Sequence, residues 1–215
     1  MTTPMLLKFC GTTSQKDADL CIKAGADMLG FIFHEKSPRF ISVQKTAEII
    51  TDGTLRVGVF TTQSADGVLQ MMHDAQLDIA QLHGDQDEEF CLEISNALGP
   101  ERVMKVLWPE RFDTAKSFQQ AMEDFAPLCG RFLLDAGSSC GGHGQEIKSS
   151  WLDQVEFPRP WMLAGGLGPE NLQKAFALTP AGVDLNSNIE LSPGIKDPKR
   201  VEESAEMVHK YNKDL

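Results

Sequence analysis

Apolar runs of five or six residues recur along the chain at 5–10, 28–33, 55–60, 79–83, 102–107, 131–135, 160–165 and 182–186. Each is too short for a helix and rich enough in branched and aromatic residues for a buried strand. Between them lie amphipathic stretches with apolar residues three and four apart, such as 15–24, 64–75, 87–98, 114–125 and 169–178, with a last one at 197–210. Strands that alternate with helices, without a hairpin signal between strands, predict a parallel sheet. Eight such units predict closure into a single (β/α)8 TIM barrel spanning 1–215. The weakest unit follows strand 6, where 146–156 predicts only a short or irregular helix. An open doubly wound sheet is the alternative, but at this length it would hold fewer strands.

Helix punctuation agrees with this reading. Gly168-Pro169-Glu170 puts proline at a first helical position beside an acid, and Asp197-Pro198 does the same for the last helix. Gly25 after Lys23-Ala24 predicts a helix stop.

Strand side chains alternate between two faces, so parity assigns them to the barrel interior or to the helices. With Cys10 facing inward, Lys8 follows it, while Leu7 and Phe9 pack outward. Asp135 shares the interior with Leu133, Gln81 shares a face with His83, and Asp184 with Asn186. Lys105 interrupts another apolar run. A buried polar group without a partner costs roughly 1–3 kcal/mol, so this many on one surface predict a polar cavity. Cys10 and Asp135 both stand where a strand gives way to a loop, at the rim that carries chemistry in such barrels. A thiol and a carboxyl facing each other there supply a base and an acid.

Charge and cysteine content narrow the partners. A net charge of −11 opposes nucleic acid and anionic membranes, and no apolar run approaches the ~18 residues that span a bilayer. Five scattered cysteines without a CxxC pair argue against a disulfide framework or a zinc site and predict a reducing cytoplasm. A small anionic ligand needs local donors to overcome the overall field. Gly165-Gly166-Leu167-Gly168 after strand 7, with Asn186-Ser187-Asn188 after strand 8, offers them as backbone amides where such barrels cradle phosphate. Gly141-Gly142-His143-Gly144 follows Asp135 as a lid or a flexible connection, and Arg39 is the arginine expected at the mouth, where its guanidinium could fork onto a carboxylate.

In this order the fragments resemble the phosphoribosylanthranilate isomerase family of tryptophan biosynthesis, over nearly the whole chain. Lys8-Phe9-Cys10-Gly11, Ala24-Gly25-Ala26-Asp27, Leu29-Gly30-Phe31-Ile32-Phe33 and Lys36-Ser37-Pro38-Arg39 are similar to its KxCG, AGAD, LGFxF and KSPR. Gln81-Leu82-His83-Gly84, Leu134-Asp135, Ala164-Gly165-Gly166 and Gly182-Val183-Asp184 follow in register, and Ser192-Pro193-Gly194-Ile195-Lys196-Asp197 closes the set. The chain departs from the family at Asn186, Asn188 and His143, and carries about two extra residues between Gly144 and Trp151.

The resemblance implies an Amadori isomerisation of N-(5-phosphoribosyl)anthranilate, with no metal and no organic cofactor because the substrate's own imine is the electron sink. It implies Asp135 as acid, Cys10 as base and Arg39 on the anthranilate carboxylate. Gly165, Gly166, Ser187 and Asn188 would surround the phosphate, with His83 and Asp184 as walls. Lys8 is expected to favour the Cys10 thiolate, and burial to keep Asp135 protonated. A monomer or a homodimer is expected. The histidine-pathway sugar isomerase is a rival, disfavoured because its strand-1 base is an aspartate. A non-catalytic barrel binding a phosphorylated small molecule is the other.

Overall fold

The computed structural model describes residues 3–135 and 152–215. Eight parallel strands pair in chain order and close on themselves. They are β1 (Leu6–Phe9), β2 (Met28–Ile32), β3 (Leu55–Phe60), β4 (Ile79–Leu82), β5 (Val103–Leu107), β6 (Arg131–Asp135), β7 (Trp161–Ala164) and β8 (Gly182–Leu185). The seam is the β1–β8 ladder, which sets Lys8 opposite Asp184 and Phe9 opposite Leu185. The helices are α1 (Gln15–Lys23), α2 (Val43–Glu48), α3 (Ala65–Asp74), α4 (Glu88–Leu98), α5 (Ala115–Phe125), α6 (Leu172–Phe176) and α7 (Pro198–Lys213). Most begin on a short polar side chain that accepts a first-turn amide: Ser14, Ser42, Ser64, Asp87, Thr114 and Asp197.

Two apolar layers result from strand alternation. Met28, Val57, Ile79, Met104, Val106, Leu133, Met162 and Ala164 fill the barrel. Leu7, Phe9, Phe31, Phe60, Phe132 and Leu134 pack outward in the larger layer beneath the helices. Arg56, also buried, donates to Thr46 O, Ile49 O and Ala75 O, so its cation closes the C-terminal ends of α2 and α3.

Three expectations need correction. Lys105 does not face the interior. It shares parity with Val103 and Leu107 in the outer layer, donates to Gln86 O at 2.8 Å and lies over the Phe125 ring. Pro169 is not a first helical residue. It sits in a turn, and α6 starts three residues later at Leu172, because the Asn171 side chain accepts the Gly168 amide and holds the turn. A hairpin also exists outside the barrel: β9 (Glu190–Ser192) pairs antiparallel with β10 (Ile195–Lys196) around Pro193-Gly194. After β6, only a 3-10 turn at Leu152–Gln154 is described. The glycine cluster at 141–144 with His143, and most of the expected helix at 146–156, lie outside the described residues.

Candidate active site

At the C-terminal ends of the strands a cavity of about 460 Å³ is lined by Cys10, Ile32, His34, Ser37, Val59, Thr61, Gln81, His83, Asp135, Ala164, Gly165, Gly166, Asp184, Asn186 and Ser187. Cys10 from the end of β1 and Asp135 from the end of β6 therefore face one space. Of the residues expected at the site, His83, Gly165, Gly166, Asp184 and Ser187 share that wall, whereas Arg39 and Asn188 stand just outside it.

Below the sulfur the barrel holds an ion pair. Lys8 Nζ, wholly buried, donates to Asp184 Oδ2 at 2.8 Å. Strand β2 passes beside this pair with a glycine for a steric reason. A Cβ on Gly30 would lie 2.7 Å from Cys10 Sγ and 3.1 Å from Lys8 Nζ. Burial is the largest influence on the Cys10 thiol and pushes its pKa up; Lys8 and Lys196 pull it down, and Asp184 opposes them. The net direction is upward, so the expected preference for a thiolate is not met in this structure. The cation is in place, but desolvation outweighs it. Asp184 is likewise pushed up, chiefly by burial, against the pull of Lys8.

Asp135 keeps about 20% of its side chain exposed, and its Oδ2 lies 3.4 Å from His83 Nε2. The other imidazole nitrogen, Nδ1, meets the Gln81 side-chain amide at 3.0 Å, and the ring stands edge-on to Trp108. Gln81 thus orients His83, which in turn borders Asp135. With Gln81 donating to Nδ1, Nε2 carries the proton and points it at the carboxyl.

The loops after β7 and β8 form one unit. Gly165 and Gly166 have φ of +104° and +63°, a backbone shape that side chains with a Cβ resist. Gly166 O accepts from Asn171 Nδ2 at 2.9 Å and from Asn188 Nδ2 at 2.5 Å. Asn188 is held in turn by Arg200, which donates to its carbonyl and pairs with Glu170. Among the described residues, no protein acceptor takes the amides of Gly166, Leu167 or Ser187. Turning the Gly166 carbonyl toward the asparagines turns the following N–H the opposite way across the trans peptide. Amides presented from two neighbouring loops suit an anion.

Arg39 stacks its stem over Gly11 and grips Glu190 with Nε and Nη2. His34, Ser37 and Thr61 were missed in the sequence. His34 Nδ1 and Thr61 Oγ1 lie 3.1 Å apart on the cavity wall. For His34 and Thr61 the signal was position alone, one or two residues past the end of a strand; Ser37 lies deeper in the loop after β2.

Fold and cavity together define a class: a (β/α)8 barrel with a thiol, a carboxyl and two loops of free backbone amides gathered at the C-terminal ends of its strands. A family model for N-(5'phosphoribosyl)anthranilate (PRA) isomerase matches residues 7–207. The chain belongs to that family. An N-(5'-phosphoribosyl)anthranilate isomerase of Maridesulfovibrio salexigens is 48% identical over 198 residues, covering 92% of this chain and 95% of the relative. A crystal structure of phosphoribosyl anthranilate isomerase in complex with reduced 1-(o-carboxyphenylamino)-1-deoxyribulose 5-phosphate matches with a TM-score of 0.77 at 28% identity, over 98% of this chain and 100% of that one. Monomers generated from the dimeric enzyme of Thermotoga maritima match at 0.78 and 29%, with the same coverage.

Proposed function

We propose that this chain isomerises N-(5'-phosphoribosyl)anthranilate to 1-(2-carboxyphenylamino)-1-deoxyribulose 5-phosphate in tryptophan biosynthesis, with Asp135 as acid and Cys10 as base. The observation that carries this reading is the shared cavity, with one proton donor and one proton acceptor on its walls. Asp135 gives a proton to the furanose ring oxygen, and the ring opens to an iminium. Cys10 removes the proton from the sugar C2, and the enolamine formed tautomerises to the ketone. The elevated thiol pKa fits this order. Ring opening brings a cation beside the sulfur, which adds to Lys8 and favours the thiolate when it is needed.

Arg39 holds the anthranilate carboxylate from the rim, and the loops carrying Gly165, Gly166, Ser187 and Asn188 enclose the phosphate. The Asn188 side chain supports the cradle through Gly166, so its own backbone amide is the part offered to the anion. His83 and Asp184 form the walls around the sugar.

The cavity is built within one chain, so a monomer or a homodimer carries it equally. Among the described residues the cysteines are free and buried, and no helix is long and apolar enough to cross a membrane. The free thiols support a reducing cytoplasm as the compartment.

Loss of anthranilate-type fluorescence during turnover by the purified chain tests the activity. Binding of a reduced product analogue without any turnover would favour the non-catalytic alternative.

A further inference from the structure

Beside the cavity lies a buried charge cluster whose central carboxylate the acid–base chemistry leaves unused. Glu190, the first residue of β9, has a side chain only 2% exposed and sits between two cations. Arg39 Nε lies 3.0 Å from both of its oxygens, and Arg39 Nη2 donates to Oε2 at 2.7 Å. From the other side, Lys196 Nζ donates to Oε1 at 3.2 Å, and the Gly194 amide reaches the same oxygen at 3.2 Å. Lys196 also donates to the backbone carbonyl of Cys10 at 2.5 Å. A single carboxylate therefore links the loop after β2 to the hairpin after β8 and, through Lys196, to the residue that follows β1.

The geometry of the guanidinium gives this arrangement a use. Arginine has two edges that fork onto a carboxylate, the Nε–Nη2 side and the Nη1–Nη2 end. Glu190 takes the first. Among the described residues Nη1 has no protein partner, so the second edge is left to a ligand. A long side chain loses much rotamer freedom when it is fixed. Clamping by Glu190 places that loss in folding rather than in binding.

We propose that Glu190 is a positioning residue for substrate recognition. It holds Arg39 by one edge so that the other meets the ring carboxylate, and through Lys196 it registers that grip against Cys10. This inference rests on the reading of Arg39 as the carboxylate holder.

The test compares two inhibitors, the reduced product analogue and the same molecule without its ring carboxylate. Glu190→Gln should weaken the carboxylate-bearing inhibitor about tenfold, raise KM similarly and leave kcat within about twofold. The inhibitor without the carboxylate should bind as it does to the parent. Glu190→Asp keeps a charge for Lys196 but falls one methylene short, and should give a smaller shift of the same selectivity. It also carries the comparison should Glu190→Gln not fold. Equal weakening of both inhibitors would reduce Glu190 to a structural role. Tighter binding of the carboxylate-bearing inhibitor would make Glu190 a competitor for Arg39. Either result overturns the proposal. Arg39→Ala separates the two layers: if it weakens both inhibitors equally, the carboxylate reading of Arg39 itself fails.

Discussion

Lys8 and Asp184 face each other across the β1–β8 seam, Nζ to Oδ2 at 2.8 Å, above an interior layer of methionine, valine, isoleucine, leucine and alanine. The second carboxylate oxygen, Oδ1, is buried without a protein partner among the described residues, and Asp184 lines the cavity. One half of the carboxylate is thus committed to the lysine, and the other is left as an acceptor at the cavity wall.

Removing the lysine should have two separable effects. Lys8→Met leaves Asp184 buried without its cation and should cost about 3–5 kcal/mol of stability, read by urea unfolding. It also removes the main influence that lowers the Cys10 pKa. The thiol pKa then climbs further, so the rising limb of kcat against pH moves to higher pH. Replacing Asp184 by leucine in the same variant should restore much of the stability and, by removing the anion that raises the thiol, bring the pH profile part of the way back. An unshifted profile in a folded Lys8→Met variant would remove Lys8 from the chemistry.

Cys10→Ala and Asp135→Asn should each lower kcat by about 10²–10⁴-fold while the reduced product analogue still binds. Near-normal turnover in either variant would end its assigned role. Gly30→Ala should mimic Cys10→Ala without replacing an ionisable residue, because the new methyl would overlap the Cys10 sulfur and crowd Lys8 Nζ.

Asn188→Ala removes one of the two amides that fix the Gly166 carbonyl, leaving Asn171 alone. The cradle loosens but is not lost. KM for the phosphorylated substrate should rise about three- to tenfold with kcat nearly unchanged, and inorganic phosphate should become a weaker competitive inhibitor. An unaltered phosphate inhibition constant would show that Asn171 suffices.

Three buried thiols that take no part in the reaction predict an alkaline limit to stability. Burial raises Cys21 and Cys129 from 9.0 to about 12 and Cys91 to about 11. In the unfolded chain these thiols ionise near their ordinary value, while the folded chain retains their protons. Stability is therefore fully present below about pH 9 and falls as the pH rises toward 11–12. Thermal melts across that range should show a steady drop, and Cys21→Val should make it shallower. Equal slopes for parent and variant would assign the loss to other groups.

Much of this was legible in the sequence because strand parity is strict. Leu133 and Asp135 inside, Phe132 and Leu134 outside follow from the two-residue repeat, and the structure agrees. Lys105 misled because a single polar residue in an apolar run does not declare its face; the parity of Met104 and Val106 decides it. The Pro169 turn was misread because proline suits both a helix start and a turn, and the deciding bond comes from Asn171. The Cys10 thiol could not be judged from sequence, since the balance between a nearby cation and desolvation depends on depth. Glu190 carries no local signal in the sequence. Its role depends on Arg39, which is 151 positions away in the chain.

The hairpin of β9 and β10 has a temporal consequence. Lys196 reaches Cys10 across 186 positions, and the Asn212 side chain exchanges hydrogen bonds with the Met5 backbone across 207. Pairings between such distant parts carry a high loop-closure cost and form late. A nascent chain that has emerged only as far as β7 holds Cys10 and Asp135, yet lacks the hairpin whose Lys196 holds the Cys10 carbonyl. Competence should therefore arrive abruptly, with the last thirty or so residues, instead of accruing as the barrel grows.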